Sequence, residues 1–414
     1  IMATIRPFAA LRPARELAAQ AAALPYDVYG EEEAREAVQG HPYSFLNIDR
    51  PETQFPAGYD PYAPEVYKKA GELLRRQIQE GVYLRETAPC YYVYALTRNG
   101  RTQTGLAACS SLDDYQRGVI RRHENTRAEK EADRIRHVEA CGAQTGPVFL
   151  AYRRDETVSG ILEQQKQQEP LYDFTAEDGI RHQVWRISDP QTIAALTEQF
   201  GRIPHTYIAD GHHRAASAAA VCRKCCQEQG QISADAEVRY VLSVLFAEDE
   251  LTILDYNRVV RDLNGYTPEE FLEKLKPVFR ITAEDQKVHP RRKGELGLCL
   301  GGSWYRLETR PERAADDPVE GLDVALLQRE VLAPVLGIRD PKTDRRIDFV
   351  GGIRGLEELE RRCQEDAAAA FAMYPTSMEE LFAVADAGRL MPPKSTWFEP
   401  KLRSGLLIHE IDLS

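Results

Sequence analysis

Short apolar runs separated by Gly, Pro, Asn and Asp alternate along the chain with stretches whose apolar residues recur at helical spacing. Residues 91–97 and 101–109 flank Arg98-Asn99-Gly100 and predict a β-hairpin, because Asn-Gly suits the tightest strand-to-strand turn. Residues 147–153 read as a buried strand and 156–169 as a polar helix or linker. Strands are expected at 171–174 and 180–187, joined through Asp178-Gly179, and a helix at 190–200. A short strand at 205–209 runs into Asp210-Gly211 and then a helix from about His212 to Gln229. The longest apolar strand is 238–247. Thr267-Pro268-Glu269-Glu270 opens a helix to 275, with a capping threonine and proline in the first turn. A second hairpin is expected at 296–300 and 304–308, helices at 323–335, 356–372 and 378–387, and a last strand at 406–411. The pattern is that of an α+β or mixed α/β protein.

Composition narrows the function classes more than the fold. With 53 Lys+Arg against 65 Asp+Glu, the chain of 414 residues carries −12. Nucleic acid is therefore not expected as a partner, nor is an anionic membrane. No apolar run approaches the roughly 20 residues that span a bilayer, and no basic-then-apolar leader pattern is present, so a cytoplasmic location is expected. Five of the eight cysteines lie singly in apolar stretches and read as core residues. Cys222, Cys225 and Cys226 share a predicted helix without the second ligand pair that a zinc site needs. A Gln-rich stretch near 155–169 suggests three regions with soft boundaries, 2–154, 170–265 with the motif described next, and 266–414, with one compact unit as the alternative.

The signatures of P-loop, Rossmann, zincin and α/β-hydrolase sites are missing from the sequence. The strongest cluster is Tyr207-Ile208-Ala209-Asp210-Gly211-His212-His213-Arg214, at a strand-to-helix junction. Unpaired N–H groups of a first helical turn form an anion site. Two histidines and an arginine add donors there, and Asp210 can cap the helix or hold a divalent metal. Arg121-Arg122-His123-Glu124-Asn125-Thr126 offers an acid/base or metal pair in His123 and Glu124, and phosphate contacts in the arginines. The following 128–137 reads as a solvated, ion-paired helix face. Met391 to Gly405 holds Lys394, Ser395, Lys401 and Arg403 among prolines and aromatics, which suits an ordered loop closing on a charged small ligand. Gly351-Gly352 either lets a phosphate approach or serves steric packing.

These residues together resemble domain-of-unknown-function family 1015. The matching pieces run from Arg6-Pro7-Phe8 and Pro25-Tyr26-Asp27-Val28 through His123-Glu124-Asn125-Thr126, Ala209 to Arg214 and Asp255 to Val260, to Phe349-Val350-Gly351-Gly352 and Pro392 to Lys401. The Asp-Gly-His-His-Arg stretch in turn is similar to that of the ParB/sulfiredoxin-like superfamily, which includes free serine kinases. The resemblance implies such a core with large N- and C-terminal additions. It implies phosphate transfer from ADP or ATP, with Mg²⁺, to a small hydroxyl substrate such as L-serine. A phosphohydrolase or a non-catalytic nucleotide-binding regulator is the alternative. Carried over, Asp210 would hold Mg²⁺ and, with His212, His213 and Glu124, do the chemistry. Gly211, Arg214, Arg122, His123, Lys394, Ser395, Lys401 and Arg403 would bind substrate and phosphate. The base has no direct counterpart, and Glu16, Asp27 and Glu124 are equal candidates.

Overall fold

The computed structural model describes residues 2–230 and 232–413. The fold is mixed α/β, and the chain divides into two compact units, Thr252–Glu399 and the residues on either side of it. The division differs from the three expected regions. Strands from 2–154 and from 170–265 belong to one sheet, and residues from Pro400 onward return to it.

In the unit that carries the motif, the strand order is Ile120–Arg121, Thr206–Asp210, Val148–Tyr152, Tyr240–Ala247, Arg101–Ser111, Tyr91–Arg98, Arg181–Ile187, Tyr172–Thr175. The hairpin forms as its sequence requires: Asn99 and Gly100 take φ 50° and 78°, the left-handed pair of a tight hairpin turn. Tyr240–Ala247 lies between Arg101–Ser111, its antiparallel neighbour, and Val148–Tyr152, its parallel one, and is buried almost throughout. Helix His212–Gln229 lays Ala215, Ala218, Ala219 and Cys222 into the core formed with Val148, Leu150, Ile208 and Leu245. Small side chains let this helix sit close to the sheet, which fixes where its first turn ends up. The returning segment is tied down by mutual backbone bonds between Ala23 and Ser404, at 2.8 and 3.1 Å. Gly405 cannot be replaced freely: at φ 75°, a Cβ there would stand 2.3 Å from Phe45 Cγ.

The other unit has a six-stranded antiparallel sheet in the order Phe279–Glu284, Ser303–Thr309, Glu295–Leu300, Ala369–Ala372, Tyr256–Val260, Ile347–Gly351. The helix expected over 356–372 stops at Glu365, and Ala369–Ala372 is a fully buried inner strand. Alanine favours helix locally, but pairing with a strand on each side, Glu295–Leu300 and Tyr256–Val260, overrides that preference. The helix expected over 323–335 is α-helical only to Leu327 and continues as a wider turn, Gln328–Leu332. The last expected strand shrinks to His409–Glu410, paired with Ala143–Gln144, and Ile408 makes a single bridge to Leu11. Among the described residues no helix is long and apolar enough to cross a membrane.

Candidate functional site

Strand Thr206–Asp210 runs parallel to Ile120–Arg121, so both chains emerge at the same end of the sheet. That shared exit brings the residues after each strand, His123-Glu124 and Asp210 to Arg214, to one place. Gly211 makes the turn at φ 92°, where a side chain would crowd the Arg214 guanidinium at 3.2 Å. Asp210 Oδ1 accepts the Gly211 N–H at 2.8 Å, while Oδ2 lies 3.4 Å from Lys401 Nζ and 3.9 Å from an Arg214 nitrogen. Burial opposes the negative charge of Asp210, but Lys401, Arg214 and the Gly211 N–H outweigh it and hold its pKa well below the usual range. Asp210, Gly211, Arg214 and Lys401 thus form one charged cluster, though Lys401 lies 191 residues from Asp210 in sequence.

A second cluster adjoins it. The His123 and His212 rings meet edge to face, 4.6 Å apart at 84°. Glu124 Oε2 is 4.0 Å from His212 Nδ1. One ligand-type atom from each of the three residues lies within 4.8 Å of the other two. Burial lowers the pKa of His123 to about 4 and holds that of His212 well below its usual range, so both imidazoles are neutral at pH 7. His213 faces elsewhere and accepts the Arg127 N–H at 3.1 Å.

The remaining expected residues scatter. Arg122 is exposed, with its guanidinium over the Tyr115 ring at 5.6 Å. Arg403 is buried and paired with Asp178. Lys394 and Ser395 belong to the unit Thr252–Glu399. There Ser395 Oγ donates to the Pro392 carbonyl at 2.6 Å, and Lys394, at φ 58°, lies 5.8 Å from the Tyr256 ring centre. Gly351 and Gly352 have a steric reason to be glycine: a Cβ would press on the Trp397 ring at 2.8 Å and on Asp255 Oδ1 at 2.0 Å. Of the candidate bases, Glu16 and Asp27 are exposed, and Glu124 stands in the histidine cluster.

Asp210 as it stands does not fit a magnesium ion. Its two oxygens already face an N–H group, an ammonium and a guanidinium, and a dication would have to enter beside two cations. The His123–His212–Glu124 donor set is two-thirds nitrogen, whereas Mg²⁺ prefers oxygen.

Sequence reasoning missed a small pocket beside Arg214, bordered by Tyr26, Asp49, Arg134, His137, Thr145 and Ser404. Helix Ala128–Cys141 is solvated at Ala128–Lys130, Ala132 and Arg136, as expected, but its other face is not: Arg134 and His137 are buried. Arg134 stacks on Tyr26 at 3.9 Å and pairs with Asp133 at 2.9 Å. Thr145 Oγ1 donates to Asp49 at 3.0 Å, and His137 Nε2 meets the Ile48 carbonyl at 2.9 Å. The available signal was Pro25-Tyr26-Asp27, a Pro-bounded segment that says little alone.

No curated protein matches the chain. A free serine kinase, a mutant form in complex with ADP, is similar at 15% identity and a TM-score of 0.38, over 76% of this chain and 93% of that one. SbnI with C-terminal truncation from Staphylococcus aureus shares 14% identity at a TM-score of 0.38, over 74% and 87%. A conserved hypothetical protein from Pyrococcus furiosus shares 15% at 0.35, over 75% and 95%. Residues 5–325 match the family described as "Protein of unknown function (DUF1015)", and the chain belongs to that family.

Proposed function

We propose that the protein is a phosphotransferase that moves phosphate from ADP or ATP to a small hydroxyl substrate such as L-serine. One observation carries this reading: Arg214 and Lys401 converge on Asp210 at the start of an 18-residue helix. Two cations and a helix N-terminus are the parts from which a phosphate cradle is built. Asp210 holds Lys401 and Arg214 on either side of it. The donor arrives as its magnesium complex, its transferred phosphate meets Lys401, Arg214 and the first-turn N–H groups, and His212 flanks it, while His213 is turned to the Arg127 N–H. Glu124, at the open edge of the histidine cluster, takes the proton of the acceptor hydroxyl. Arg403 has no part in this reading, because its guanidinium is committed to Asp178.

The test is Asp210→Asn. The amide still accepts the Gly211 N–H and keeps the helix start in place, but it offers no charge to Lys401 and Arg214, so the chain should fold with a lowered melting temperature. Phosphoserine formation from serine and ADP or ATP should fall about 10- to 100-fold, the scale of a charge-assisted hydrogen bond of about 1.5–3 kcal/mol. Normal turnover by the variant removes Asp210 from the site. Phosphoserine hydrolysis by the native protein without nucleotide would replace kinase by phosphohydrolase. Nucleotide binding without any turnover would leave a regulator.

A further inference from the structure

We propose that His123, His212 and Glu124 form a binding site for a divalent transition-metal ion, of which Zn²⁺ is the simplest probe. The inference shares residues with the proposed transferase site but does not need its activity. Three observations carry it. The first is placement: two adjacent strands leave the sheet in parallel, and each delivers one histidine just beyond its end. The second is spacing. Zinc bonds nitrogen and carboxylate oxygen at about 2.0–2.2 Å, so tetrahedral neighbours stand about 3.4 Å apart. Glu124 Oε2 and His212 Nδ1 are 4.0 Å apart, and all three ligand-type atoms lie within 4.8 Å, which small side-chain rotations close. The third is enclosure: His123 is 2% and His212 6% exposed, so neither imidazole faces bulk water.

The donor set names the class of ion. Two imidazoles and one carboxylate suit zinc, iron, cobalt or manganese better than magnesium or calcium, which take oxygen. The histidines are closed in, while the Glu124 side chain is 41% exposed. A three-ligand site of this shape keeps a coordination position on its exposed side for water or a substrate oxygen, the pattern of a catalytic rather than a structural metal. Bound through one oxygen, Glu124 keeps the other for a proton.

The experiment is a titration of the chelator-stripped full chain with Zn²⁺, and with Co²⁺ followed by its visible spectrum. One ion per chain is expected, with a nitrogen/oxygen cobalt spectrum lacking a thiolate charge-transfer band. His212→Ala should weaken zinc binding more than the roughly 10–100-fold that loss of a supporting partner costs. Glu124→Gln, at a partly exposed position, should weaken it at least tenfold. The triple variant Cys222→Ser, Cys225→Ser, Cys226→Ser should bind as the native chain does. Absence of stoichiometric binding overturns the inference. So does its loss in the cysteine variant, its persistence in Glu124→Gln, or displacement by equimolar Mg²⁺. Zinc binding without phosphoserine formation would sink the kinase reading alone, and turnover without zinc binding would sink this one alone.

Discussion

Two arginines are buried to nearly the same degree in the two units, and their surroundings push them in opposite directions. Arg134 is enclosed with Asp133 at 2.9 Å, and Asp133 also accepts the Tyr67 hydroxyl at 2.7 Å. Burial works against the Arg134 charge, but Asp133, Tyr26 and Asp49 more than offset it, and the pKa rises. Arg258, on the inner strand Tyr256–Val260, donates only to carbonyls, those of Tyr256 and, at 3.3 Å, Pro393. No carboxylate pairs with it among the described residues, and burial lowers its pKa to about 10. Depth alone therefore says little about a buried charge. Whether a counter-ion was folded in with it decides how firmly the proton is held and what its removal costs.

The comparison breaks most directly at Asp133. Asp133→Asn leaves Arg134 charged, enclosed and unpaired, and should cost about 3–5 kcal/mol in urea unfolding. A loss below about 1 kcal/mol would mean that water or another carboxylate replaces Asp133. Next in size is a pH effect. His182 is fully buried beside the Tyr94 hydroxyl at 2.9 Å, and burial together with the nearby Arg403 charge lowers its pKa to about 3. From about pH 6.5 down to 3 the unfolded chain binds a proton that the folded chain refuses. The His182 contribution is thus intact above pH 6.5 and falls by about 1.4 kcal/mol per pH unit below about pH 6. Asp323, in the other unit, works the opposite way: burial raises its pKa to about 6, so its penalty fades as the pH drops. His182→Phe should flatten acid destabilisation followed by Trp185 fluorescence, and an unchanged slope would rule His182 out. The smallest effect is expected at Arg258→Met, within about 1 kcal/mol of the native chain, because it strands no opposite charge. A cost above about 3 kcal/mol would show that Arg258 holds an anion.

Local signals in the sequence carried the hairpins, the capped helix Pro268–Leu275 and the strand–Gly–helix junction at Asp210, because each is decided by residues within a few positions of one another. Misreadings arose where the deciding partner is distant. Ala369–Ala372 reads as helix until two neighbouring strands close around it. The run Ala128–Cys141, rich in Glu, Lys and Arg, reads as a water-facing helix until Tyr26 and Asp49 enclose Arg134 and His137. In the candidate site, the residues of the Asp210 motif and the His123-Glu124 pair could be named from spacing. That Lys401 faces Asp210, and that Arg403 turns to Asp178, depends on how the segment from Pro400 onward threads back.

That threading sets an order of events during synthesis. Asp210 and Arg214 leave the ribosome with their strand and helix, but Lys401 follows 191 residues behind Asp210. At roughly 5–20 residues per second, the interval is on the order of 10–40 s. Throughout it the nascent sheet carries an acidic group with one of its two cations missing, and the whole of Thr252–Glu399 emerges before the second can arrive. A chain released early can hold the motif and its helix, yet it lacks the lysine that completes the charge cluster, so the site matures only when translation has passed Lys401.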